Sequence, residues 1–392
     1  MFGARLIIIF LLCSLIASLQ RDLADIKVLL QEVNPDIVML TGDIIDGRPF
    51  HDLEKLAFLP AFEKLTSVIH ETGALWSFTP GNHDDDDSPW SRQDLVQVYS
   101  LPGCLSNGAQ TFNHTLTVSR DETPSSTTAL RLFLFDSGGN HPNSKLRYYT
   151  VADSAVAAYK YLSRTGALDI DGKAPLGTAW YHIPNNECNG LLPVAGVNAL
   201  FDCALRTGLV PFPFMHQPFR CFLGLFALDR VVGSSKIPSK FFRAMAKIGN
   251  IQATFFGHDH FSDCTFFKSG IFMSYGRTGA HTPPVDWEGR LGPYPFARPS
   301  ARICEFARGD ANTKPSLETY IYETESPLKH LVVINDKTTA AYRHVVDKAE
   351  GARKCAVGFA VLTAVLMLIT IGLVFYLFVF VFPQKSTAHV DL

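Results

Sequence analysis

Three short segments of this chain set metal-binding side chains in glycine turns. They are Gly42-Asp43-Ile44-Ile45-Asp46, Gly81-Asn82-His83-Asp84 and Gly257-His258-Asp259-His260. Divalent cations take carboxylate oxygen, amide oxygen and imidazole nitrogen, and a pair of such cations can drive the hydrolysis of a phosphate ester. A single Gly-Asp or Gly-His pair is ordinary turn chemistry. Three such segments in this order, each behind an apolar run, point to a metal-dependent hydrolytic site. A bridging carboxylate must reach two cations roughly 3.5–4 Å apart, which a short aspartate at a rigid strand end can do. Asp43 has that position, and Gly42 before it lets neighbouring backbone approach closely.

Rigid elements must deliver these loops. Leu23, Ile26, Leu30 and Val33 recur at helical spacing, and Asn34-Pro35 stops that helix. Ile37-Val38-Met39-Leu40 then reads as a buried strand leading into Thr41-Gly42-Asp43. A second helical pattern runs from about Leu53 to His70, and Ala74 to Phe78 is the strand that leads through Pro80-Gly81 into Asn82-His83. Leu130 to Phe135, Ala179 to His182 and Gln252 to Phe256 are further strands. Gly270 to Tyr275 and Arg302 to Phe306 read as strands of a second sheet. The alternation predicts an α/β domain with its site at the carboxyl ends of strands.

The three segments resemble the calcineurin-like metallophosphoesterase superfamily over about Asp36 to Phe306. That resemblance implies two mixed β-sheets packed face to face and flanked by helices. It implies Asp43 as the bridging ligand, Asn82 as the amide ligand of the second metal, and His258 and His260 as the paired histidines. His83 matches the residue that serves the leaving oxygen, with Asp84 placed to orient it, so His83 and Asp84 are the expected catalytic pair. A further lone histidine is needed after a strand. Trp180-Tyr181-His182-Ile183-Pro184 fits best, with His216 in Met215-His216-Gln217-Pro218 as the alternative. Glu187, Gly270-Ile271 and Tyr275-Gly276-Arg277 are similar to a subgroup with purple-acid-phosphatase-like and fungal cell-cycle phosphatase members. Asp46 stands where true purple acid phosphatases carry a tyrosine ligand, and it is expected to brace its loop.

The family's opening Asp-x-His motif is absent, and no histidine precedes His51. The second metal keeps Asp43, Asn82, His182 and His258, whereas the first keeps only Asp43 and His260. Where the family uses two Mn, Fe or Zn ions, this ligand count predicts one tightly held ion and weak hydrolysis. Two readings follow. One is a membrane-anchored phosphoesterase acting on a phosphate ester, impaired or lacking an upstream segment. The other is a catalytically inactive ectodomain that serves in binding or structure.

The remainder of the chain sets its surroundings. Net charge is −2, with Lys and Arg scattered, which gives no nucleic-acid groove. Cys355 to Phe382 is an uninterrupted apolar run. At about 1.5 Å per residue it outspans a hydrocarbon core of roughly 30 Å, so a transmembrane helix in contact with lipid is expected over 355–382 with a short tail over 383–392. Arg5 and Leu6 to Leu19 read as a signal peptide or signal anchor over 1–19, or as the first strand of the sheet. The phosphoesterase domain is then expected over 20–310 with an aromatic-rich insertion at about 185–250, and a juxtamembrane stem over 311–354. Asn113-His114-Thr115 is a glycosylation acceptor if the domain is lumenal or extracellular. Cys104, Cys188, Cys203, Cys221, Cys264 and Cys304 would suit disulfides there, although the basic residues ahead of the anchor favour the opposite sidedness. No feature sets an oligomeric state or a particular phosphate ester.

Overall fold

The structure is a computed structural model. It describes residues 5–11, 19–44, 58–85, 90–119, 128–165, 175–186, 234–258, 265–276, 279, 300–307, 315–323 and 332–334. All of them belong to Met1–Ala340, the first of two units into which the chain divides.

The chain starts with strand β1 (Arg5–Leu11) and helix α1 (Leu19–Val33), followed by β2 (Ile37–Leu40), α2 (Phe58–Glu71) and β3 (Leu75–Phe78). A 3-10 helix covers Asp94–Ser100. After it come β4 (His114–Ser119), β5 (Thr128–Leu134), α3 (Asp153–Thr165) and β6 (Leu176–Tyr181). The domain closes with α4 (Lys240–Ile248), β7 (Ile251–Phe256), β8 (Thr265–Lys268), β9 (Ile271–Tyr275), β10 (Ser300–Ala307), β11 (Ser316–Glu323) and β12 (Val332–Ile334).

These strands form two six-stranded mixed sheets, ordered β12-β11-β10-β1-β2-β3 and β4-β5-β6-β7-β9-β8. Parallel pairs β1–β2 and β2–β3 bring the ends of three strands to one edge, with Leu11, Leu40 and Phe78 in register. In the second sheet β5, β6 and β7 are likewise parallel. The carboxyl ends of β2, β3, β6 and β7 are where the sequence motifs begin.

Helix α1 ends as its sequence requires. Asn34 takes the left-handed conformation, φ 49°, and donates its N–H to Leu30 O at 2.8 Å. Its apolar stripe, Ile26, Leu29 and Leu30, packs with Phe62, Leu65 and Ile69 of α2 against Val38, Leu40, Trp76 and Phe78 of the first sheet. A second core joins Tyr159 and Val156 of α3 and Phe241 and Met245 of α4 to Phe133, Tyr181 and Phe256 of the second sheet. Strands buried on both faces read as continuous apolar runs, as β2 and β5 do. Polar contacts also tie the sheets together. Buried Arg302 donates to Tyr275 O at 2.6 Å. Ser77 Oγ lies 2.5 Å from Ser106 Oγ, which is 2.6 Å from His114 Nε2.

Of the readings of the leading apolar run, the structure has the strand: Arg5–Leu11 pairs with β2 on one side and β10 on the other. Within the stretch expected to be a stem, β11 and β12 extend the first sheet, and Leu317, Thr319 and Ile321 alternate inward along β11 while Glu318, Tyr320 and Tyr322 do not. That polar alternation hides a strand from any search for apolar runs. Cys104 and Cys304 are free thiols, each pushed up by burial to about 12, so both stay protonated at neutral pH. The apolar run 355–382, residues 187–233 of the insertion expected at about 185–250, and the other cysteines lie outside the described residues. Among the described residues, no helix is long and apolar enough to cross a membrane.

Candidate metal centre

Asp43, Asn82, His182 and His258 come from four different strand ends and converge. Asp43 Oδ2 is 3.0 Å from His182 Nε2, Asn82 Oδ1 is 3.2 Å from the same nitrogen, and His258 Nδ1 is 2.7 Å from Asn82 Oδ1. Asp43, His182 and His258 each offer one ligand atom, all within 4.8 Å of one another. The first three residues are almost fully buried, at 2%, 3% and 0% exposure.

This donor set fits a divalent cation. Metal bonds of about 2.0–2.2 Å put neighbouring ligand atoms about 3 Å apart, which is the observed spacing. Proton positions lead to the same conclusion. His182 Nδ1 lies 2.6 Å from Thr41 O, and a carbonyl only accepts, so Nδ1 carries a hydrogen. With that hydrogen on Nδ1, Nε2 is the nitrogen that faces the oxygens of Asp43 and Asn82 and could ligate a cation. A cation is a natural partner for such converging donor atoms, and the Thr41 contact is the usual orienting bond for a metal-bound histidine.

The backbone is shaped around this point. Asp43 and His258 both take positive φ, 50° and 73°, conformations that cost roughly 1–3 kcal/mol each and persist where the surroundings enforce them. Gly42, at φ 86°, lies so close to Gly81 and His182 Nδ1 that a methyl group there has no room. A methyl group on Gly81 would collide with the N–H and carboxylate of Asp43.

Asp84 is fully buried, and three backbone N–H groups donate to its carboxylate: Asp43 N at 2.9 Å, Ile44 N at 2.8 Å and Gly81 N at 2.7 Å. The carboxylate expected to orient His83 thus fastens the two ligand turns to each other. His83 is half-buried and donates its own N–H to Asp43 Oδ1 at 2.8 Å. Asn113 is exposed at the start of β4, and its Oδ1 accepts from Asp136 N. His260, Asp46, Glu187 and the alternative ligand His216 lie outside the described residues.

Arg92 was not expected. Its guanidinium donates to Gly81 O at 2.7 Å, Pro80 O at 3.1 Å, Gly138 O at 3.0 Å, Asp85 Oδ1 at 2.9 Å and Asp136 Oδ1 at 2.7 Å. Burial opposes its charge, but Asp136 and Asp85 outweigh that and hold its pKa above the usual arginine value. Asp85 is itself raised by burial, against the pull of Arg92. It is therefore an ion-pair partner, where the sequence suggested a solvated loop acid. No motif marks Arg92, because its partners are carbonyls and an aspartate distant in sequence.

The place of the missing motif can also be located. The strand beside β2 ends at Leu11, and residues from Leu12 to Gln20 include no aspartate, glutamate or histidine.

A family model for calcineurin-like phosphoesterases matches residues 16–262. The chain is 23% identical over 308 residues to an Arabidopsis thaliana protein named "Probable inactive purple acid phosphatase 28". That alignment covers 72% of this chain and 65% of the relative, so the chain spans slightly less than two thirds of the relative's length. In fold it is similar to a dimetal phosphatase from Danio rerio, with TM-score 0.50 and 11% identity, over 84% of this chain and 98% of that one.

Proposed function

Because the chain belongs to the calcineurin-like phosphoesterase family, we propose that it is a metal-dependent phosphate-ester-binding domain with one strong cation site and weak hydrolytic turnover. The convergence of Asp43, Asn82, His182 and His258 at coordination spacing carries this reading. Mn, Fe or Zn suits the mixed oxygen and nitrogen set. A cation held there would polarise a phosphate oxygen and increase the acidity of nearby water.

The chain's own residues do the rest. Asp43, fixed by its φ and by the Asp84 clamp beneath its N–H, presents its carboxylate without rearrangement. The Thr41 carbonyl keeps His182 in the tautomer that can ligate. His83, on the same turn as Asn82, is the group proposed to hold a proton for the leaving oxygen. Asp84 serves the site by binding the two turns together.

Weak turnover follows from the segment after β1. A second cation would require ligands from the segment that follows β1, and Leu12 to Gln20 supply no aspartate, glutamate or histidine. That favours a second reading, an inactive domain that binds a phosphate ester without cleaving it. The printed name of the Arabidopsis relative agrees with it. The two readings separate on turnover of p-nitrophenyl phosphate with saturating Mn2+. A slow rate abolished by His83→Ala supports hydrolysis, and no rate above solvent supports binding alone.

The domain is further proposed to be anchored by 355–382, with Asn113 glycosylated on a lumenal or extracellular face. The apolar run and the exposure of Asn113 support this.

A further inference from the structure

We propose that Arg92 and Asp136 are positioning residues for the metal site, and that they and the loop they anchor set the placement of Asn82, His182 and His258 together. This rests on reading the site as a metal site.

Arg92 reaches the carbonyls of Pro80 and Gly81, the two residues immediately before Asn82. Fixing both carbonyls fixes the direction in which Asn82 leaves the turn. The same guanidinium holds Asp136 through Nε, at 2.9 and 3.0 Å, and through Nη2. Asp136 turns its loop by accepting from Gly138 N at 2.7 Å.

That loop then touches the two histidine ligands. Ser137 Oγ accepts the N–H of Ile183, the residue after His182, at 2.8 Å. Further along, Tyr149 N donates to Gly139 O at 3.1 Å, closing a hairpin that carries Tyr148. The Tyr148 ring meets the His258 ring edge-on, at 4.4 Å between centroids and 80° between planes. Arg92 and the loop it anchors therefore bear together on three of the four donor residues, and Asp84 holds the fourth. A planar guanidinium donates in several fixed directions at once, which an ammonium cannot reproduce.

The test compares the full-length chain with its Arg92→Lys and Asp136→Asn variants. Mn2+ affinity is measured by titration, and the visible spectrum of the Co2+ form reports ligand geometry. Outer-shell changes of this kind cost roughly 10–100-fold in metal affinity, and that loss is expected here with a shifted Co2+ spectrum. A strut needed only for folding would lower the unfolding temperature and leave both readouts alone. Folded variants that bind Mn2+ within about twofold of wild type, with an unchanged Co2+ spectrum, would overturn the proposal. If those two substitutions prevent folding, Tyr148→Ala, also at a partly exposed position, decides on the same two readouts. Wild-type protein that binds no Mn2+ would instead overturn the metal reading beneath the proposal.

Discussion

Gly42 and Gly81 meet backbone to backbone across the ends of β2 and β3, with no space for a side chain on either. This contact brings Asp43 and Asn82 to the same candidate cation site, and Asp84 seals it by accepting from Asp43 N and Gly81 N. Gly42→Ala combines a forced overlap with a left-handed backbone, and is expected to cost about 2–5 kcal/mol. Gly81→Ala, without the backbone term, is expected to cost about 1–3 kcal/mol. Chemical denaturation of the two variants checks the order. Equal, negligible losses would mean that the two turns are not so closely packed.

Metal content follows from the ligand count. The purified chain is expected to carry about one equivalent of Mn, Fe or Zn, since among the described residues Asp43, Asn82, His182 and His258 form one full donor set. His182→Ala should lose it by more than the roughly 10–100-fold of an outer-shell change, while His216→Ala keeps it. Two tightly held equivalents by elemental analysis would require ligands that the segment after β1 does not offer.

Stability should depend on His114. Burial lowers its pKa below the ordinary imidazole value of about 6.5. The unfolded chain therefore binds this proton more readily than the folded one. Stability from the neutral ring is fully present above about pH 6.5 and is lost as pH falls through the lower folded value. His114→Gln should flatten that acid-side decline in a denaturation series. An unchanged slope would assign the decline to other groups.

The anchor and its sidedness can be tested together. The full chain should resist extraction by alkaline carbonate, and truncation before Arg353 should release it. Glycosidase should shift the wild-type band but not that of Asn113→Gln. A chain that never shifts would put the domain on the cytosolic side, in keeping with the basic residues ahead of 355–382.

The turns that carry the candidate ligands were legible because Asp43, Asn82, His182 and His258 each lie at or shortly past the end of an apolar strand, where short-range pattern suffices to place them. Helix α1 was legible from its apolar stripe and its Asn34-Pro35 stop. What eluded the sequence depends on distant partners. Arg92 looks like any loop arginine until Asp136 and the Pro80 and Gly81 carbonyls surround it, and Asp85 looks solvated for the same reason. Strand β11 was missed because its outward Glu318, Tyr320 and Tyr322 dilute the apolar signal. The first strand shares its composition with a membrane-targeting segment, and only pairing tells the two apart.

Strand β1 pairs with β10, Phe10 opposite Arg302. During synthesis one edge of β1 must therefore wait until nearly the whole domain has left the ribosome, a delay of tens of seconds at about 5–20 residues per second. Throughout that interval Arg5–Leu11 is an apolar strand with an unpaired edge, open to chaperones, to membranes and to other nascent chains.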